Sequence, residues 1–236
     1  MRELNSPDAS LSAPTLGQEH SRRLFLRRSA AMAMAGTAAA MVLGAVKPAR
    51  ADDDDNPFCD FRDQGQNFRD IRGHENDHVA FLVSALGKYA RPKPTFKNLL
   101  QKNIDDFVDV SQALENTGVG AYLGAAPVIY SRAYLAAAGT IALIEGRHAG
   151  YLNVLQGDPI TGNVLDLKSN NSFETPLTPE QVDGLAGPFI ASLNGGPPVS
   201  YSDTPSERND IDILNFALAL EYLEAEFYNI NVPRFF

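Results

Sequence analysis

Residues 140–152 read TIALIEGRHAGYL, and the spacing of Glu145 and His148 inside that stretch decides how the chain is read. Residues three apart are neighbours on the surface of an α-helix. A carboxylate and an imidazole placed that way can reach one metal ion together. The same form recurs at 75-ENDH-78, where Glu75 and His78 stand three apart. If the two segments are helices that face each other across a core, the four side chains converge on one place.

The surrounding sequence supports helices at both. Phe68, Ile71, Val79, Leu82 and Leu86 recur at helical spacing and predict a helix over 68–86, with Gly87 as its stop. A second helix is expected from about Phe96 to Thr117, on the spacing of Leu99, Leu100, Ile104, Phe107, Val108 and Leu114. Gly118, Gly120 and Gly124 are expected to interrupt it, and Pro127 follows. A third, alanine-rich helix is expected over 131–155, its small residues allowing close helix–helix approach. Gly, Pro, Asn, Ser and Thr dominate 157–206, so a long loop is expected there. It carries one short helix with Thr178 as N-cap and Pro179 at its first position. A last helix is expected from Asp210 to about Asn229, with Leu214, Ala217, Leu218, Glu221, Ala225 and Tyr228 on one face. Four long helices without alternating strands predict an all-α four-helix bundle.

Bundles that hold two metal ions between carboxylates take Glu-x-x-His from each of two helices and a single Glu from each of the other two. Helix two offers Glu115, set among Ala113, Leu114, Val119 and Leu123, where an unpaired carboxylate is costly. The last helix offers Glu221 on its apolar face, with Glu224 beside that face as an alternative ligand and Glu226 directed elsewhere. The expected metal ligands are therefore Glu75, His78, Glu115, Glu145, His148 and Glu221. Two iron ions are the expected cofactor, with manganese served by the same donors. A competing reading starts from 74-HENDH-78, which is literally H-E-x-x-H: His74 and His78 would bind zinc and Glu75 would act as general base of a protease. It leaves Glu145, His148 and Glu221 without a role.

The N-terminal segment reads as an address. Ser21-Arg22-Arg23-Leu24-Phe25-Leu26-Arg27 is a twin-arginine pattern, an apolar small-residue run covers 29–46, and Ala49-Arg50-Ala51 is a cleavage signal. Residues 1–51 are thus expected to be a Tat signal peptide cleaved after Ala51. An acidic, flexible lead-in over 52–67 and a domain over 68–236 follow, and the mature protein is expected in the periplasm or outside the cell. The first 51 residues hold 7 of the 20 Lys+Arg and 3 of the 29 Asp+Glu, which leaves 13 against 26 in the remainder. That balance argues against a nucleic-acid partner and suits attraction of metal cations. The one cysteine, Cys59, excludes an internal disulfide and thiolate-rich metal clusters.

Several segments together resemble the ferritin-like proteins of the desiccation-related type, which are commonly exported in bacteria. They are 213-ILNFALALEYLEAEFY-228, 78-HVAFLVSALG-87, 113-ALENTGVGAYLGAAP-127, 140-TIALIEGRHAGYL-152 and 174-ETPLTPEQV-182. The resemblance implies a ferritin-like bundle with a di-iron centre. In the broader superfamily the first-helix ligand Glu is followed seven residues later by Tyr, a spacing repeated by Glu221 and Tyr228; Tyr228 then stands as a hydrogen-bond partner of a ligand or an electron carrier. The chemistry implied is iron oxidation with dioxygen or peroxide, or peroxide removal; a stress protein without redox turnover is the alternative. One feature departs from the family pattern: the helix that normally comes first stands last here. A circular permutation, a helix exchanged between copies of a homodimer, and a misplaced gene boundary each account for it.

Overall fold

The computed structural model describes residues 64–161, 165 and 172–236. The twin-arginine leader, the acidic run after it and Cys59 lie outside the described residues. Five helices order the rest: α1 (Gly65–Leu86), α2 (Ile104–Ala125), α3 (Arg132–Leu155), the short α4 (Pro179–Ala186) and α5 (Glu207–Phe235). A short strand pair, β1 (Thr95–Phe96) and β2 (Ile190–Ser192), runs antiparallel and ties the segment before α2 to the segment before α5. The fold is all-α with this one small addition. Among the described residues no helix is long and apolar enough to cross a membrane.

The helices pack as two pairs, α1 with α5 and α2 with α3, joined through α2 and α5. The last helix therefore packs within its own chain. Each long helix is apolar toward both ends of its buried face and polar between. Phe68, Phe107, Leu152, Phe227 and Tyr228 close one end, with the Phe68 and Phe107 rings 5.0 Å apart and Phe107 and Phe227 stacked at 5.5 Å. Leu82, Leu86, Tyr122, Ile141, Leu214 and Leu218 close the other. The buried polar side chains occupy the layer between.

The structure moves several expected boundaries. Helix α1 opens at Gly65, ahead of Phe68, and stops as expected at Gly87, whose φ of 53° is one that side-chain-bearing residues rarely adopt. Helix α2 begins at Ile104, not Phe96. Phe96 is in β1, Asn98 has a φ of 61°, and the helix is started by Asn103, whose side chain accepts from the backbone N–H of Asp106 at 2.7 Å. Helix α5 begins at Glu207, capped by Ser206, not by Asp210. The Asp210 carboxylate instead accepts the backbone N–H groups of Tyr130 and Ser131 at 2.7 and 2.8 Å, fixing the turn that leads into α3.

Gly118, Gly120 and Gly124 do not interrupt α2, which runs unbroken to Ala125. They are gaps for close neighbours. A Cβ on Gly124 would lie 1.9 Å from the Leu177 carbonyl oxygen, and one on Gly120 would lie 2.5 Å from Leu177 Cγ. The loop from Glu174 to Thr178 thus lies directly on α2, and the Leu177 N–H donates to the Gly120 carbonyl at 2.9 Å. Helix α4 continues the strap, with Val182 and Ala186 buried. Its start follows the expected chemistry: Thr178 and Gln181 form a reciprocal capping box.

Candidate metal centre

Each of the four long helices sends carboxylates or imidazoles into the middle layer. Helix α1 brings Glu75 and His78, α3 brings Glu145 and His148, α2 brings Glu115, and α5 brings Glu221 and Glu224; all are buried. His78 Nδ1 lies 3.2 Å from Glu75 Oε2, 3.2 Å from Glu221 Oε2 and 3.3 Å from Glu145 Oε1. His148 Nδ1 lies 3.1 Å from both Glu75 Oε1 and Glu115 Oε2. The six residues singled out in sequence therefore meet in one place.

They fall into two overlapping sets. Ligand-type atoms of Glu75, His78, Glu145 and Glu221 all lie within 4.8 Å of one another, and so do those of Glu75, Glu115, Glu145 and His148. Glu75 and Glu145 belong to both. A carboxylate has two oxygens, so these two are the residues able to face two cations at once. Each imidazole, with one further glutamate, serves a single side.

The two outer carboxylates, Glu221 and Glu115, are fixed by a crossed pair of tyrosines. Tyr122 Oη donates to Glu221 Oε1 at 2.5 Å, and Tyr228 Oη donates to Glu115 Oε1 at 2.7 Å. Tyr122 follows Glu115 by seven residues, just as Tyr228 follows Glu221, so each tyrosine holds the glutamate of the other helix. Sequence reasoning named Tyr228 and passed over Tyr122, although the same spacing signalled it. The arrangement has an approximate two-fold relation: α1 corresponds to α3, and α2 to α5.

The cluster carries more negative groups than it can neutralise. Burial opposes charge on His78, but the carboxylates of Glu145, Glu221 and Glu75 outweigh it and push the imidazole up to about 12. Burial also opposes charge on His148, yet Glu115 and Glu75 raise it to about 10. Burial would raise Glu75, but hydrogen bonds from His148 and His78 hold it down at about 2. Burial lifts Glu221 to about 7 despite its contact with His78. Burial, reinforced by neighbouring carboxylates, keeps Glu145 and Glu224 well above the usual carboxylate range.

Three oxygens make no well-aligned hydrogen bond among the described residues: Glu75 Oε1, which has His148 Nδ1 at 3.1 Å, and both oxygens of Glu145, of which Oε1 has His78 Nδ1 at 3.3 Å. A buried polar group left unpaired costs about 1–3 kcal/mol. These atoms belong to the two residues common to both sets, where a metal pair would satisfy them. The donors are carboxylate oxygens with one imidazole per side, a set that suits iron or manganese.

His74 does not join His78 in a cluster. It is exposed on α1, and its Nδ1 lies 3.0 Å from Nε2 of His148, the ring nitrogen directed away from the carboxylates. Among the described residues, the groups close enough to hold an ion do not include His74, so the H-E-x-x-H pattern does not assemble a zinc site. Glu226 also stays outside, paired with Lys93 at the surface. Glu224, the alternative ligand, is buried in the same layer but belongs to neither group of atoms close enough to hold an ion. A Cβ at Gly118 would lie 2.8 Å from Glu145 Oε2 and 3.3 Å from Glu224 Oε1.

Comparison with known families bears on the same residues: the ferritin-like domain matches 21–158 and 209–235, more than half of the chain and all four helices that carry the site. The chain belongs to the ferritin-like domain family. No curated protein and no solved structure matches it. In this ferritin-like bundle the least covered of the six clustered side chains are the two imidazoles, His78 and His148, 11% and 7% exposed.

Proposed function

We propose that this is an exported ferritin-like protein that holds two iron ions between Glu75 and Glu145 and uses them in oxidation chemistry with dioxygen or peroxide. The observation that carries the reading is the pair of ligand sets sharing two buried carboxylates, three of whose four oxygens make no well-aligned hydrogen bond. His78 and Glu221 would complete one position, His148 and Glu115 the other. Iron held there would supply one-electron chemistry with small oxygen species.

The chain's own residues do the rest. Tyr122 and Tyr228 hold Glu221 and Glu115 in place through short hydrogen bonds, so the terminal carboxylates are set before any ion arrives. The two apolar ends of the bundle exclude bulk water from both sides of the layer. The protons on His78 and His148 leave as metal enters, because a ligating imidazole nitrogen must be unprotonated. The slight exposure of the imidazoles suits a reactant of a few atoms and no polymer. Export by the twin-arginine route rests on Ser21 to Arg27 and Ala49 to Ala51, and fits a protein that takes up its metal before leaving the cytoplasm.

The test is anaerobic loading with Fe(II), then exposure to air. The expected result is a near-ultraviolet ferric absorption that saturates at two irons per chain and is absent from the H78A/H148A double variant. Equal absorption from wild type and double variant would remove the reading.

A further inference from the structure

Helix α3 changes character along its length. From His148 to Leu155 it is mostly buried, but between Arg132 and Arg147 only Ile141 and Glu145 are. That stretch reads RAYLAAAGTIALIEGR, and the buried Glu145 is the one charge between the two arginines. A helix that is apolar all round belongs in an interior. Yet Leu143 is 68% exposed, and Ala136, Gly139 and Thr140 are exposed beside it. Helix α1 extends the bare strip. His74 reaches His148 of α3, so its side of α1 borders α3. Phe81 stands seven residues on, two turns along the same side, and is 45% exposed. Among the described residues nothing covers this face.

The strip is complementary to itself. Two copies of α3 laid antiparallel about a two-fold axis at Gly139 and Thr140 set Leu143 of each copy against Ala136 of the other. The bulky side chain meets a small one at both places, and a Cβ at Gly139 would meet nothing, so the two helices can cross closely there. A two-fold interface requires a patch that fits its own copy in this way. Charge favours the same occupant. Residues after 51 hold 26 acidic against 13 basic groups, so two copies repel except through a face that exposes no acid. The same balance disfavours an anionic lipid surface.

We infer that this face pairs two copies of the chain through α3, antiparallel, with Gly139 and Thr140 at the crossing and Leu143 seated on Ala136 of the other copy. The stretch from Arg132 to Arg147 is about 22 Å long, and with the bordering edge of α1 the strip is about 20 Å wide, which gives on the order of 900 Å² over both copies. That is the low end of specific interfaces, where reversible complexes lie, so the dimer forms and dissociates in the micromolar range. The pairing does not depend on the metal reading above.

The experiment is sedimentation equilibrium of the purified protein over a series from low to high micromolar concentration, joined to cysteine cross-linking. Wild type is expected to pass from monomer to dimer across the series. L143E places a charge at the centre of the contact and is expected to weaken dimerisation about tenfold or more, with an unchanged circular dichroism spectrum because Leu143 is exposed in the single chain. Cross-linking checks the geometry without relying on that variant. In a C59S background, G139C is expected to oxidise to a disulfide-linked dimer, because the axis brings its two copies together. V154C, exposed on the same helix but far from the axis, is expected to stay uncross-linked. A wild type that stays monomeric throughout, a dimer that L143E leaves intact, or V154C linking in preference to G139C would each overturn the inference. A monomer that sediments with phosphatidylglycerol vesicles would overturn it too, and would give the face to a lipid surface.

Discussion

Glu145 is the residue whose presence is hardest to explain by folding, and replacing it gives the sharpest test of why it is there. It is completely buried; neither oxygen makes a well-aligned hydrogen bond among the described residues, and Oε1 has His78 Nδ1 at 3.3 Å. Burial and the charge of Glu75 hold it well above the usual carboxylate range. Leaving such a group unpaired costs about 1–3 kcal/mol. Methionine has similar volume and no such penalty, and volume-conserving swaps in a core usually cost less than about 1.5 kcal/mol. His78 loses one of its three carboxylate neighbours but keeps Glu75 and Glu221 at 3.2 Å. The E145M variant is therefore expected to be more stable than wild type without metal, by about 1–2 kcal/mol. At about 2–4 °C per kcal/mol for a domain of this size, the melting temperature in chelator rises by roughly 2–8 °C. With Fe(II) or Mn(II) present the order reverses, because the wild type gains RT ln(1 + [L]/Kd) from binding and the variant has lost a carboxylate common to both positions. The assay is thermal unfolding of both proteins in chelator and in metal. An E145M protein less stable than wild type by 2 kcal/mol or more in chelator would refute the reasoning, since the carboxylate would then serve the fold itself.

Other outcomes follow from the same geometry. Metal affinity rises with pH: the imidazoles of His78 and His148, raised to about 12 and about 10, carry protons at neutral pH, and each displaced proton contributes about tenfold in affinity per pH unit. Calorimetry in buffers of different ionisation enthalpy should count at least two protons released per metal pair, and a pH-independent affinity between pH 6 and 8 would contradict this. Tyr122→Phe and Tyr228→Phe each remove a hydrogen bond to a ligand carboxylate and are expected to weaken metal binding about 10–100-fold with little change in helix content by circular dichroism. Gly124→Ala must drive the Leu177 backbone off α2; the lost burial of Leu177 and of its hydrogen bond outweighs the gain in helix propensity, for a net loss of about 2–3 kcal/mol in denaturant unfolding. Gly139→Ala, where a Cβ meets nothing, should instead stabilise by about 0.5–1 kcal/mol.

The site was legible where side-chain chemistry and helical spacing coincide. Glu75/His78 and Glu145/His148 declare themselves by a three-residue interval, and Glu115 and Glu221 by standing on apolar faces where a lone carboxylate is costly. What escaped was set by contacts distant in sequence. The glycines of α2 read as breakers because nothing local reveals that the Leu177 backbone lies against them. Asp210 reads as a helix cap, yet its carboxylate is claimed by the Tyr130 and Ser131 N–H groups 79 and 80 residues away. Phe96, Leu99 and Leu100 recur at helical spacing and imitate a helix start, but β2 and the left-handed Asn98 hold them outside α2. His74 read as part of a zinc motif, and only the fold reveals that its partner is His148.

The central claim is that Glu75 and Glu145 face two cations together. Equilibrium dialysis against Mn(II) or anaerobic Fe(II), followed by elemental analysis of wild type and of the E75Q/E145Q double variant, tests it most directly. Two ions per chain are expected in wild type and fewer than about 0.2 in the double variant, since both positions lose two of their four candidate ligands together. Well under one ion per chain in wild type, or retention of one full ion by the double variant, would contradict it.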